Sequence, residues 1–243
     1  MAIKTSGPIT IQDLVNEFGG TAPHSLNEYY RGGGLVPEAP INSNVPASGA
    51  ISLQNFYGAT NQILITYEII GGGGGGGSGA DDRNPLAGTF APAGTSSSIK
   101  QGTTVLVSAA GGPGGENHGG AGAGGGGPGE DTVYGDGGRG NGRNNTGGSA
   151  PATSYGAGGG GGGGDRGSLF DRSGAEGLGG RAGTRRTGTL SIVPGTQLTI
   201  TIGAKGAGST SYNYGGGAGA NGYCKITNAG VETEFTSSGT YTV

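Results

Sequence analysis

The chain has 243 residues, of which 64 are glycine, about a quarter of its length against a usual share of roughly 7%. Ile, Leu, Val, Phe and Met together number only 40, so an ordinary hydrophobic core is excluded, while a net charge of −3 excludes a chain held open by its own charge. With one cysteine no internal disulfide can staple the fold, and with no apolar run approaching 18 residues no membrane span is expected. Charges of both signs are interspersed at a pI near 5.3, which gives no reason to expect nucleic acid as a partner. The opening residues lack a basic-then-apolar pattern, so no signal peptide is expected.

Composition changes near residue 60 and again near residue 224. Residues 1–60 read as a small, conventionally patterned module. Thr10 can cap a short helix whose Ile11, Leu14, Val15 and Phe18 recur at i, i+3, i+4 and i+7, with Gly19-Gly20 as the stop. Ser25 and Glu28 have capping-box spacing ahead of Tyr29-Tyr30-Arg31 and Gly32-Gly33-Gly34. Pro37, Pro40 and Pro46 make an extended connector, and Ser52 can cap a last turn carrying Leu53, Phe56 and Tyr57. A module of this size buries little apolar surface, so it is expected to dock onto something.

Strand-like runs bracket the remainder: Ile63 to Ile70, Thr103 to Ser108, Thr189 to Val193, Gln197 to Ile202, Tyr223 to Thr227, and Glu232 to Val243 around Ser238-Gly239. Pro194-Gly195 is a turn between two of them. Between the runs lie glycine tracts at 71–77, 111–148 and 158–164, and from 111 to 147 glycine recurs loosely every third residue. The phase is too irregular, and proline too scarce at 11, for collagen. The surviving expectation is a polyglycine II bundle over residues 71–223: left-handed helices of three residues per turn that make no internal hydrogen bond and bond sideways to their neighbours. The expected fold class is therefore mostly irregular and β, with a helical module at 1–60 and a glycine-rich bundle framed by short strands at 61–243.

Catalytic signatures are absent. Matches to G-x-G-x-x-G arise by chance in so glycine-rich a chain, and neither a Gly-Lys dipeptide nor G-x-S-x-G occurs. His24 and His118 lie far apart and read as solvated loop residues; Cys224 reads as a strand residue. Arg31-Gly32-Gly33 is the one RGG triplet, too little for a nucleic-acid tract. No enzyme, metal or cofactor is expected.

Aromatic and charged clusters interrupt the glycine tracts: Asp81-Asp82-Arg83-Asn84, Tyr134-Gly135-Asp136, Arg139 to Asn145, Tyr155, Leu169-Phe170-Asp171-Arg172, Arg181 to Arg186 and Tyr212-Asn213-Tyr214. They are either solvated turns or loop tips on a rigid scaffold, where Tyr, Asn and Arg supply contact area at low entropic cost. The candidate partner-contacting residues are Asp81, Asp82, Arg83, Tyr134, Asp136, Phe170, Asp171, Arg172, Tyr212, Asn213 and Tyr214, expected to gather at the end away from residue 60.

Gly7-Pro8-Ile9 through Phe18-Gly19-Gly20, Ser25 through Gly33, and Ser48 through Gly58 resemble the N-terminal segment of tailed-bacteriophage tail and tail-fibre proteins. The stretches ILITYEIIGGGGGGG (63–77) and LSIVPGTQLTITIGAKGAG (190–208) resemble glycine-rich phage fibre domains. The resemblance implies a virion protein made in the host cytoplasm: residues 1–60 attach to other tail or fibre proteins, and a polyglycine bundle presents loops to a bacterial outer-surface protein or glycan. Tyr29, Tyr30, Phe56 and Tyr57 are the candidate attachment anchors, with packing inside the module as the equal alternative. Tip adhesins of T-even phages carry a Trp-rich attachment domain, whereas Trp is absent here. The runner-up function is a structural tail or baseplate component that touches only other virion proteins, and a flat ice-binding bundle is disfavoured by the Arg, Tyr and Asp clusters.

Overall fold

The structure, a computed structural model, describes residues 2–79, 90–116, 129, 131–140, 145–162, 177–210 and 214–243. The chain divides into two units: Met1–Ile65 with Thr189–Thr196 and Thr242–Val243, and Thr66–Gly188 with Gln197–Tyr241. The boundary expected at residue 60 thus falls at 65, and the first unit takes in two later segments. Hydrogen bonds bind those segments: Ser191 Oγ donates to Gln62 Oε1 at 2.7 Å, and the Gly195 amide donates to the Val243 carbonyl at 2.7 Å.

In the first unit, α1 (Ile11–Phe18) is capped as its sequence predicts. Thr10 Oγ1 accepts from the Asp13 amide while Asp13 Oδ2 accepts from the Thr10 amide, a reciprocal box, and Gly19 ends the helix at φ +77°. Three 3-10 turns follow at Leu26–Tyr29, Pro40–Asn42 and Leu53–Phe56. Ser25 and Glu28 box the first, and Asn55 Oδ1 accepts from the Ser52 amide at the third. Leu14, Phe18, Tyr29, Val36, Val45 and Phe56 form the core. Rings of Phe18, Tyr29 and Phe56 meet at centroid distances of 6.2–6.4 Å, within the favourable range for tilted and edge contacts. One buried polar knot closes this unit: Asn42 donates to the carbonyls of Pro37 and Thr60 and accepts from the Thr60 amide, while Glu17 Oε1 accepts from Thr60 Oγ1 and the Asn61 amide.

Eight strands form two antiparallel four-stranded sheets among the described residues. They are β1 (Ile63–Ile70), β2 (Ser97–Gln101), β3 (Thr104–Ala109), β4 (Arg185–Ile192), β5 (Gln197–Thr201), β6 (Tyr223–Asn228), β7 (Val231–Phe235) and β8 (Gly239–Thr242). Their orders are β4-β1-β6-β7 and β3-β2-β5-β8. The expected strands all occur, with shifted ends, and β2 is additional. Its sequence, SSIKQ, has one apolar residue, yet it is central because Ile99 lies opposite both Val107 and Ile200, all three buried. Pro194-Gly195 turns as expected, with Gly195 at φ +81°.

The glycine segments of the second unit are neither helix nor strand, and their backbone groups bond between segments with a period of three. Gly71, Gly74 and Gly77 donate to the carbonyls of Thr184, Arg181 and Leu178; Gly72 and Gly75 donate to Thr95 and Pro92; Gly73, Gly76 and Gly79 donate to Ala220, Gly217 and Tyr214. Those three partner segments run antiparallel to 71–79. The carbonyls of residues 71–79 meanwhile accept from three parallel segments: Gly72 and Gly75 from Gly112 and Gly115, Gly73 and Gly76 from Gly206 and Ser209, Gly74 and Gly77 from Gly159 and Gly162.

Neighbours in this shell also bond one another. Gly94 donates to Gly112, Arg181 to Pro113, Gly180 to Gly159, Gly217 to Gly160, Gly219 to Gly206, and Thr95 to Ala204, which closes a ring of six segments around a seventh. Residues 71–79 are buried throughout without offering a large side chain. Their packing explains the glycine: a Cβ built on Gly75 would lie 1.8 Å from the Ala207 carbonyl oxygen. The chain therefore replaces side-chain packing with paired backbone groups, each bond contributing on the order of 1 kcal/mol net.

Candidate functional site

The ring has two ends. Ile70 of β1 runs directly into Gly71, and the segments bonded at that level continue from or into β2, β3, β4, β5 and β6; this is the strand end. At the level of Gly77 and Gly79 the partners are Leu178, Gly162 and Tyr214, and Leu178 in turn donates to the Glu116 carbonyl. Gly79, Glu116, Gly162, Gly177 and Tyr214 adjoin the intervals 80–89, 117–128, 163–176 and 211–213, and these five residues share one end, the loop end. Asp81, Asp82, Arg83, Phe170, Asp171, Arg172, Tyr212 and Asn213 lie in those intervals, outside the described residues.

Of the expected contact residues, Tyr214 stands at the loop end, half-buried. Phe90 also lies there, 71% exposed, next to Ala91, whose amide donates to the Gly115 carbonyl. The sequence reading passed over Phe90 because a single aromatic outside a polar cluster gives no pattern.

Tyr134 is placed differently: it belongs to the strand end, contrary to the expectation that it joins the other loops. A two-bond bridge between Thr132 and Gly135 forms the turn, and Asp131 Oδ1 accepts from the Gly137 amide. Tyr134 then turns inward, its hydroxyl donating to Glu68 Oε2 at 2.9 Å, while Arg185 Nε donates to Glu68 Oε1 at 2.5 Å. Tyr155 stacks on Tyr223 at 4.7 Å, and Tyr134 meets Tyr223 at 5.0 Å and Tyr155 at 5.6 Å. Burial and the Glu68 carboxylate push the Tyr134 hydroxyl up to about 12, and burial with Glu234 raises Tyr223 as well. Asp136, two residues on, is exposed. The reason for the difference is chemical: an apolar ring with a polar tip is worth more packed on two other rings and a carboxylate than in water.

In the first unit Tyr29 and Phe56 are fully buried in the core, so a partner of this conformation does not touch them. Tyr30 and Tyr57 are half-buried, with hydroxyls donating to the carbonyls of Gly49 at 2.5 Å and Gly7 at 2.6 Å.

Among the described residues no group of three or more His, Cys, Asp or Glu could hold a metal ion, and no helix is long and apolar enough to cross a membrane. Cys224 is buried on β6, and burial pushes its thiol up to about 12, away from the thiolate form that nucleophilic chemistry requires. Comparison with protein-family models, with curated proteins and with solved structures finds no match for this chain.

Proposed function

We propose that this chain is a bacteriophage tail-fibre tip or tail-associated receptor-binding protein, a binding protein rather than an enzyme, which presents loops to the bacterial surface from a polyglycine II bundle. The observation that carries the reading is the closed ring around residues 71–79. Donation and acceptance recur every third residue and alternate between antiparallel and parallel neighbours. That is the sideways bonding a three-residue left-handed helix requires, φ near −75° and ψ near +145°. A scaffold cross-linked in this way holds its turns rigidly, so a partner need not order them and more of the contact energy appears as affinity.

In this reading the intervals flanked by Gly79, Glu116, Gly162, Gly177 and Tyr214 carry Asp81–Arg83, Phe170–Arg172 and Tyr212–Tyr214 toward a surface protein or glycan. Tyr and Arg provide stacking and forked hydrogen bonds there without a deep pocket. The first unit attaches to other tail proteins in the virion through its surface, where Tyr30 and Tyr57 remain candidates.

The test is adsorption. Purified protein should bind host cells and block adsorption of the phage; replacing Phe170-Asp171-Arg172 and Tyr212-Asn213-Tyr214 with Ser and Gly should abolish both while leaving the melting temperature nearly unchanged. Unchanged adsorption in those variants would favour the purely structural tail component.

A further inference from the structure

On the sheet β4-β1-β6-β7, alternation sorts the side chains into two faces. Ile65, Ile69, Cys224 and Ile226 fall on one face and are buried. The opposite face takes Arg185 and Thr187 from β4, Thr66 and Glu68 from β1, Tyr223, Lys225 and Thr227 from β6, and Glu232 and Glu234 from β7. The printed register agrees, since Thr227 lies opposite Glu232 and Lys225 opposite Glu234. Arg185, Thr187, Thr66, Glu232 and Glu234 are exposed, Tyr223 is buried, and Leu64 on the same face of β1 is exposed beyond the polar patch.

A cleft of about 310 Å³ opens on this face, lined by Thr66, Glu68, Thr187, Lys225, Thr227 and Glu232, with Tyr67 and Gly188 completing its wall. Its size is at the lower limit of small-molecule sites, about 300 Å³, which suits one small ring and not a large ligand. The tyrosine cluster borders the same face through the bond between Tyr134 and Glu68. The polar groups are already oriented. Glu68 is held from two sides by Tyr134 and Arg185, and Lys225 Nζ donates to Glu232 Oε1 at 3.1 Å.

We infer that this cleft is a second binding site, for a neutral or amino-substituted pyranose of a surface glycan. Three threonine hydroxyls can each donate and accept, as vicinal sugar hydroxyls do, and they stand on three adjacent strands roughly 4.8 Å apart. Carboxylate oxygens of Glu68 and Glu232 accept from sugar hydroxyls or from an ammonium. The charge decides among sugars: Glu68, Glu232 and Glu234 outnumber Arg185 and Lys225, so an anionic sugar meets net repulsion. No aliphatic residue lines the cleft itself, so it does not favour an apolar peptide. The site lies at the strand end and stands independently of the loop-end reading above.

The experiment titrates the intact protein with methyl β-D-glucopyranoside, glucosamine and glucuronate, following backbone amide shifts by NMR. Millimolar binding of glucose or glucosamine is expected, with shifts centred on Thr66, Thr187 and Thr227 and glucuronate weaker by about tenfold or more. The double variant Thr66→Val, Thr187→Val keeps strand propensity, and a thermal melt confirms that it folds; it should lose the sugar-dependent shifts. Four results would overturn the proposal: no shifts with any of the sugars at about ten times a millimolar Kd, shifts confined to the loop end, unchanged shifts in the folded double variant, or preference for glucuronate. Each is distinct from failure of the adsorption test, which reads the loop end.

Discussion

The carbonyl of Gly74 accepts the amide hydrogen of Gly159 at 2.9 Å, joining two parallel segments that are 85 positions apart in sequence and have no side chain between them. The Gly74 amide at the same time donates to the Arg181 carbonyl at 2.9 Å. A residue engaged on both sides cannot move to admit a methyl group, and a Cβ at position 74 would sit 1.9 Å from the Pro113 oxygen.

Gly74→Ala should therefore destabilise the second unit by about 3 kcal/mol or more, the upper end of overpacking costs, because backbone rather than a flexible side chain must yield. Gly148→Ala is the control: the nearest atom to its Cβ is the Arg139 amide nitrogen at 3.2 Å, and a cost within about 1 kcal/mol is expected. Chemical denaturation of both variants checks the pair. Equal stability would show that close packing is not what keeps residue 74 glycine.

The tyrosine cluster predicts an alkaline signature. A hydroxyl whose folded value is raised above the usual value near 10 favours its neutral form in the native state. Its contribution is complete below about pH 10 and is lost as pH rises through the folded value, about 12 for Tyr134. Tyr223 and Lys225, both raised, act in the same direction. Stability should hold from pH 7 to about 9 and then fall steeply. Tyr134→Phe should reduce that slope by up to about one proton and cost about 1–3 kcal/mol at neutral pH, since Glu68 loses a hydrogen bond. An unchanged slope between pH 10 and 12 would contradict the assignment.

In the first unit, Asn42 is fully buried and makes three hydrogen bonds to the main chain. Asn42→Ala strands those partners and should cost about 3 kcal/mol. Phe56→Ala, which opens the aromatic core, should cost about 3–5 kcal/mol. Tyr30→Ser and Tyr57→Ser should be much milder because these rings are only half-buried. Thermal melts rank the four, and virion incorporation then separates attachment from folding: reduced incorporation of a folded Tyr30→Ser or Tyr57→Ser protein identifies the docking surface.

The helix and two boxed 3-10 turns were legible because caps are local: Thr10 with Asp13, Ser25 with Glu28, and Ser52 with Asn55 act within three residues. Most strands were legible from alternation, and β2 was not, because Ser97-Ser98-Ile99 is made a strand by partners in β3 and β5 far along the chain. The three-residue phase hinted at the bonding period, but interruptions such as Asn117 and Thr132 hide which tracts meet. Only the register of Gly71–Gly79 against its six neighbours reveals the ring. Tyr134 misled for a related reason. Its local context, a polar turn ending in Asp136, looks solvated, and the carboxylate and rings that draw it inward come from β1 and β6 and from residue 155.

Phe90 gives the last prediction. This large aromatic is 71% exposed and adds nothing to the core, so its ring is free to make a contact outside the chain. Its neighbour Ala91 is fixed by the bond to Gly115, and Gly115 by its own to Gly75, so Phe90 is carried at a set height at the loop end. Aromatic side chains at such rims are preferred anchors, with truncation costs of about 2 kcal/mol or more in a binding equilibrium. Phe90→Ser should leave the melting temperature within a degree or two of the parent while lowering affinity for host cells by about 30-fold. Binding by Phe90→Ser that matches the parent, in a protein that still folds, would remove this residue from the contact surface and shift the weight onto the polar loops alone.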